Sequence, residues 1–203
     1  VAPSRGLGDV YKRLVYANIK KAIQFLLSGN TAGILTVLYA SLAGLPVPFA
    51  AVHLLFINLL TDSLPAIALG LEPHSDAVMQ EKPRPRSEGI LTKPFLLSVG
   101  TEGLVIALAT IIAFHIGLAS GGAAVASTMA FATLTLCQLF HAFNVRSEDR
   151  SLFAMGPLSN PAMNRAFLAG LALQLAVLLV PPLQSVFSTV SLDLYQWLTV
   201  LLL

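Results

Sequence analysis

The chain has 203 residues, of which 56% are hydrophobic and only 11% are charged, and its formal net charge is +2. A soluble domain carries roughly a quarter of charged residues, so this composition and the mean hydropathy of +0.78 exclude an ordinary water-soluble fold. We expect most side chains to face the lipid bilayer or other apolar helices, and we expect no nucleic-acid partner.

Apolar runs divide the chain into candidate membrane spans. A helix needs roughly 20 apolar residues to cross a bilayer core. Six runs approach or satisfy this length, at about residues 22–41, 49–71, 94–118, 124–144, 164–180 and 191–203. The predicted fold is therefore all-α, a polytopic membrane bundle of six transmembrane helices over residues 22–203, preceded by a polar and basic segment at 1–21. We interpret both chain ends as the ends of a fragment.

The loops between the runs alternate in charge. The loops "LAGLPVP", "ASGGA" and "PPLQSVFSTV" carry no charge, whereas "EPHSDAVMQEKPRPRSEGILTK" and "VRSEDRSLFAMGPLSNPAM" are longer and charged. Every Lys and Arg lies in the N-terminal segment, in a charged loop or at Arg165. Because basic residues favour the cytoplasmic side, this pattern predicts a cytoplasmic N-terminus, cytoplasmic charged loops and six crossings.

Polar residues interrupt the second run, "LFINLLTDSLPAIALGLEP". Asn58, Thr61 and Asp62 have the i, i+3, i+4 spacing of one helix face, and their oxygen atoms suit a hard cation such as Ca²⁺. Pro65 has no N–H to bond residue 61, which predicts a free carbonyl near Thr61. Interrupted helices expose such carbonyls to transported cations, so we interpret this segment as part of a cation site.

Other helices place polar groups at a similar depth. Counting about 1.5 Å per residue from the outer ends puts Asn30 at about 17 Å, Asp62 at about 20 Å and Gln138 at about 21 Å. Amides in membrane helices also serve as interhelical hydrogen-bond partners, and for Gln138 the two roles stay equally open.

The remaining ionisable groups receive more ordinary interpretations. Glu102 lies about 12 Å from the cytoplasmic end of its run and has no polar residue at i+3 or i+4. A structural or water-facing role is favoured for it over a proton-carrying or ion-pairing one. Three of the four histidines are interpreted as hydrated groups near the membrane interfaces; they are His53, His115 and His141.

"NLLTDSLPAIALGLEP" closely resembles the sixth membrane helix of calcium-transporting P-type ATPases, with their N-x-x-T-D-x-x-P-A-x-A-L-G pattern. "YANIKKAIQFLLSGN" resembles the stalk and start of their fifth helix, "EKPRPRSEGIL" the loop after the sixth, and "FNVRSEDRSLF" with "SNPAMNRA" the loop after the eighth. The resemblance covers roughly residues 11–203, so the six runs would be helices five to ten of the pump.

The resemblance implies an ATP-driven pump that carries Ca²⁺ and of which this chain is the C-terminal membrane part. Asn58 and Asp62 would bind the ion together with a glutamate of a fourth helix outside this sequence. Mg²⁺ and ATP would act in a cytoplasmic head, also outside it, so we expect no catalytic residue here. The implied partners are the bilayer and the head and first four helices of the same pump. The implied location is the plasma (inner) membrane of a bacterium, as a multi-pass protein.

Two positions depart from the pattern of pumps that carry two Ca²⁺ ions. Those pumps have a glutamate at the position of Gly33 and another where Gln138 aligns. A second site would keep Asn30, Thr61 and Asp62 but lose two carboxylates, and a dehydrated divalent cation needs substantial negative charge. We therefore predict one Ca²⁺ per cycle. Golgi-type pumps, which carry Ca²⁺ and Mn²⁺, share the missing fifth-helix glutamate.

Other functions stay open at this point. They are a Ca²⁺/Mn²⁺ pump, a P-type pump for monovalent cations, a passive channel or secondary cation transporter, and a structural membrane subunit. The lone Asp62 argues against a monovalent-cation pump, which generally has further acidic groups. A structural subunit leaves Asp62 unexplained.

Overall fold

The computed structural model describes residues 3–72, 89–147, 154, 156 and 158–203, and every regular element in these ranges is a helix. The predicted cytoplasmic loop "EKPRPRSE" lies outside the described residues. The elements are α1 (Pro3–Leu42), α2 (Ala51–Phe56), a π-helix (Ile57–Thr61), α3 (Ser63–Gly70), α4 (Lys93–Asn144), α5 (Pro161–Leu179), α6 (Pro181–Phe187) and α7 (Leu194–Leu202).

The helix α4 consists of two antiparallel limbs, 93–121 and 123–144, because the backbone leaves the helical conformation at Gly122, with φ 80° and ψ −168°. Glycine adopts this positive φ without a steric penalty. A Cβ on Gly117 would lie 2.5 Å from the Ala126 Cα, so the two limbs touch beside the turn. The turn lies within the predicted loop "ASGGA", although helical residues continue through residue 121.

Among the described residues, four helical stretches are long and apolar enough to cross a membrane, namely Tyr11–Leu42, Ala51–Gly70, Lys93–Asn144 and Pro161–Leu179. An all-helical structure with these stretches fits a membrane helix bundle, and the count of six crossings stays a prediction. Within the predicted loop "PPLQSVFSTV", residues Pro181–Phe187 form the short helix α6. Proline suits the first helical position, where no N–H is needed.

An aromatic cluster packs three elements together at one end of the bundle. The His53 ring stacks on Phe131 at 4.4 Å, and Phe56 makes edge contacts with Phe131 at 5.6 Å and with Phe187 at 5.3 Å. These contacts join α2, the second limb of α4 and α6. They hold the start of the α2–π–α3 segment against α4.

A buried ion pair holds the other end of that segment. Arg146 donates from Nε to both carboxylate oxygens of Glu72 at 3.0 Å and from Nη2 to Oε1 at 2.8 Å. Asn160 Nδ2 donates to Glu72 Oε2 at 2.6 Å, and Asn18 Nδ2 donates to the Glu72 carbonyl at 3.1 Å. Arg146 is 2% exposed and Glu72 9% exposed. The residues at the ends of α3 and α4 are thereby joined to α1 and to the start of α5.

Glu72→Gln is expected to destabilise the protein by about 3–5 kcal/mol, because it leaves the buried Arg146 charge without its counter-ion. Denaturant unfolding of the purified protein in detergent measures this change. The matched double variant Glu72→Gln/Arg146→Gln removes both charges and should lose less stability than the single variant. A single variant that is as stable as the double variant contradicts the prediction.

Candidate functional site

In the α2–π–α3 segment, the helix has one wider turn at its polar residues, where a backbone hydrogen bond spans five residues instead of four. The Asp62 N–H donates to the Ile57 carbonyl at 2.8 Å, five residues back, whereas Ala66 N–H donates to the Asp62 carbonyl at 3.1 Å in the ordinary α pattern. The wide turn ends at Thr61, whose carbonyl Pro65 cannot bond because proline has no N–H. Single π turns inside α-helices occur frequently at functional sites.

Asp62 lies directly after the wide turn and is 2% exposed. Neither of its carboxylate oxygens makes a hydrogen bond to any residue that the structure describes. Burying a charged group costs far more than burying an amide unless it is paired or binds a metal. Thr61, also buried, donates its hydroxyl hydrogen to the Ile57 carbonyl at 3.0 Å, so its Oγ1 keeps its capacity to accept. Asp62 is therefore the best candidate for a cation ligand in this segment.

The structure does not bring the other two predicted ligands to the same place. Asn58 is exposed, and its Nδ2 donates to the Leu54 carbonyl at 2.9 Å, while Asn30 of α1 is also exposed. The prediction that Asn58 shares a face with Asp62 assumed α-helical spacing. Because Asn58 lies within the π turn, where each turn holds more residues, the i+4 rule does not apply to it. Asn58 and Asn30 offer their amide oxygens on the outer surface of the described bundle.

Gly33 and Gln138 lie at the positions where the resemblance to two-ion pumps leads one to expect glutamates, and their surroundings differ. Gln138 is 1% exposed, its Oε1 has no hydrogen-bond partner among the described residues, and its side chain packs over Gly29 of α1. A Cβ on Gly33 would meet nothing within 4 Å, so close packing does not require glycine there. Neither Gly33 nor Gln138 supplies a carboxylate for a second ion.

Glu102 has polar partners that the helical spacing did not indicate. Gln24 Nε2 of α1 donates to Glu102 Oε1 at 2.6 Å, and His141 Nε2 lies 3.4 Å from Glu102 Oε2. His141 is 7% exposed and 2.9 Å from Ser28 Oγ, so its interpretation as a hydrated interfacial group was wrong. The i+3 and i+4 spacing identifies neighbours on the same helix only. These partners lie on two other helical segments, so the spacing could not reveal them.

The interpretation of His53 was also wrong. His53 is fully buried, with Nε2 2.7 Å from the Phe187 carbonyl and Nδ1 accepting from the Ala50 N–H at 3.2 Å. Its hydrogen-bonding atoms are satisfied, which suits a structural role. His115 is exposed, as expected, and lies 2.7 Å from the Tyr39 hydroxyl.

Within the described ranges, no group of three or more His, Cys, Asp and Glu side chains could hold a metal ion. Any cation at Asp62 would therefore need neutral oxygen ligands or ligands from outside the described residues.

Asp62→Asn is expected to stabilise the ion-free protein by about 1 kcal/mol or more, because it removes a buried charge that no described residue pairs with. Thermal unfolding in the presence of a chelator measures this change. Asp193→Asn is the matched control, since Asp193 caps α7 by accepting from the Gln196 N–H and asparagine caps equally well. A lower unfolding temperature for Asp62→Asn would indicate a structural carboxylate instead.

Comparison with known proteins shows to which family this chain belongs. Residues 46–203 match the family model for cation-transporting ATPases, C-terminus. A calcium-transporting ATPase of Bacillus subtilis (strain 168) is 41% identical over 191 residues, which cover 93% of this chain and 21% of the relative. Calcium-transporting ATPase 1 of Bacillus cereus is 38% identical over 210 residues, covering 94% and 23%.

A more distant relative is the calcium-transporting ATPase type 2C member 1 of Mus musculus, which is 34% identical over 188 residues, covering 92% of this chain and 20% of the relative. The chain spans about a fifth of the length of these relatives. It belongs to the family of cation-transporting ATPase C-terminal regions.

Proposed function

We propose that this chain is the C-terminal membrane part of an ATP-driven calcium pump and that Asp62 is a ligand of the transported Ca²⁺. The observation that carries the proposal is a buried carboxylate with no hydrogen-bond partner among the described residues. It lies beside a wide helical turn in a chain whose relatives are named calcium-transporting ATPases.

Calcium needs more ligands than Asp62 alone supplies. The ion takes about six to eight oxygen ligands from carboxylates, amides, backbone carbonyls and water. Thr61 adds oxygen atoms next to Asp62. Asn58 and Asn30 stay predicted amide ligands, but both are exposed on the described bundle and apart from the buried Asp62, so the rest of the parent pump would supply the remaining oxygen ligands of the ion.

The same proposal assigns the membrane arrangement. The two antiparallel limbs of α4 each cross once, and with the other long stretches and α7 the bundle crosses six times. The N-terminus and the charged loops lie on the cytoplasmic side of a bacterial plasma membrane, in line with their basic residues. Mg²⁺ and ATP act in a cytoplasmic head formed by the remainder of the pump, so the described chain carries ion binding and not phosphorylation.

Calcium uptake by membrane vesicles that contain the full-length protein tests this function. ATP-dependent uptake of radioactive calcium is expected for the wild type and should fall to background for Asp62→Asn, since an amide cannot supply the negative charge. Asp193→Asn, the same chemical change at the α7 cap, should retain uptake. Mn²⁺ added as a competitor separates a calcium pump from a pump for both ions.

Retained uptake in Asp62→Asn would refute the role of that residue. Uptake that does not require ATP would favour the passive channel or secondary transporter over the pump.

The number of ions per cycle is a separate prediction. We expect one Ca²⁺ per ATP hydrolysed, because Gly33 and Gln138 supply no carboxylate for a second dehydrated ion. Simultaneous measurement of calcium uptake and phosphate release in sealed vesicles gives the ratio. A ratio of two for the wild-type protein contradicts the prediction.

A further inference from the structure

A cavity lies between the two limbs of α4 and the end of α7. It has a volume of about 570 Å³, and most of the residues that line it are apolar. Ligand pockets in proteins have volumes of about 300–1,000 Å³ and combine an apolar lining with a few polar groups. Val105 is 67% exposed, Phe140 59% and Leu202 85%, so the cavity is open on the outer surface of the described bundle, where a membrane protein contacts lipid. A lipid can therefore reach it.

The polar residues of the lining lie at one end of the cavity. On the first limb of α4, Glu102 precedes Ile106, and on the second limb His141 and Asn144 follow Leu136. Because the two limbs are antiparallel, this order places the polar groups toward the ends of α4 and the apolar wall toward its turn. His141 lies about 5 Å before the end of α4. The lining thus has the polarity of a phospholipid, with a polar headgroup at the helix ends and an apolar chain below it.

The Glu102 carboxylate keeps hydrogen-bond acceptor capacity at this polar end. A carboxylate has about four acceptor positions, and Gln24 Nε2 fills one of them at 2.6 Å. His141 Nε2 lies 3.4 Å from Glu102 Oε2 but only 2.9 Å from Ser28 Oγ. The single hydroxyl hydrogen of Ser28 is donated to the Phe25 carbonyl at 3.0 Å, so Ser28 Oγ accepts the N–H of His141. Glu102 Oε2 accordingly accepts no hydrogen bond from a described residue.

The charge of the cavity favours a cationic group. None of the described residues that line it is Lys or Arg, and the Glu102 side chain is 27% exposed. A carboxylate in such surroundings attracts a cation and repels an anionic headgroup. A primary ammonium group also carries three hydrogen-bond donors, whereas the trimethylammonium group of choline carries none. The lining therefore favours a primary ammonium headgroup over a choline or an anionic headgroup.

We propose that this cavity binds one phospholipid that has a primary ammonium headgroup, such as phosphatidylethanolamine. The ammonium group donates to the Glu102 carboxylate, the Asn144 amide is placed to donate to the phosphate, and one acyl chain lies along Ile106, Leu136 and Val200. The bound lipid fills the space between the two limbs of α4 and α7. Lipid binding does not depend on the proposed transport of calcium.

Native mass spectrometry of the full-length protein tests which lipid is bound. The protein is released from vesicles that contain equal amounts of phosphatidylethanolamine and phosphatidylcholine, and the wild type is expected to retain one phosphatidylethanolamine. Glu102→Gln keeps the shape of the side chain but removes its charge, so it should lower the preference for phosphatidylethanolamine by about tenfold. Asp193→Asn, which makes the same change from carboxylate to amide at the α7 cap, should keep the wild-type preference.

The open edge of the cavity gives a second variant. Val105→Trp places a large ring at this exposed edge, where the described bundle need not repack, and should abolish lipid retention. Leu108→Trp is the matched control, since Leu108 is 51% exposed on the same limb and does not line the cavity. Thermal unfolding in detergent, with and without added phosphatidylethanolamine, measures the same binding, because a ligand of the native state raises the unfolding temperature. The wild type and Leu108→Trp should show this rise, and Val105→Trp should not.

Each of three results overturns the proposal. A wild-type protein that retains both lipids equally, or retains neither, contradicts the ammonium site. An unchanged preference in Glu102→Gln contradicts the role of the carboxylate, and full retention in Val105→Trp contradicts the location. None of these results affects the proposed pump function, because calcium uptake is measured separately.

Discussion

The buried ion pair between Glu72 and Arg146 is the contact on which the arrangement of the helices depends. Asn160 at the start of α5 also donates to the Glu72 carboxylate, and Asn18 in the middle of α1 donates to the Glu72 backbone carbonyl, so four helical segments meet at one residue. A buried charge pair contributes little net stability when complete but is costly to break. Its effect is therefore to define one position for α3, and with it for the Asp62 backbone next to the wide turn.

Three acidic side chains in the bundle have the same chemistry and three different environments. Glu72 is saturated by an arginine and an asparagine, Glu102 has one amide donor and one histidine nearby, and Asp62 has no partner among the described residues. Glu72 is a fixed structural anchor, Glu102 contacts polar side chains of two other helical segments, and Asp62 is the carboxylate that we propose as a cation ligand. The three carboxylates differ because different side chains surround them, and not because they are different residue types.

The sequence could predict where the apolar helical segments lie, because their positions depend on local hydrophobicity. The apolar runs at 49–71 and 164–180 coincide closely with helical segments that span 51–70 and 161–179, because the length of an apolar run is itself the signal. The partners of Glu102 could not be found, since Gln24 lies 78 residues away along the chain. The exposure of Asn58 was missed for a different reason, because no spacing rule reveals that a helix changes from α to π geometry.

The wide turn at Ile57–Thr61 is held on both sides. The aromatic contacts of His53 and Phe56 hold the preceding segment against α4, and Glu72 anchors the far end of the segment that follows. The turn has one residue more than an α-helical turn, so a return to α geometry would rotate one of these segments by about 100° around its axis and break its contacts. The two anchors therefore keep Asn58 exposed and Asp62 buried.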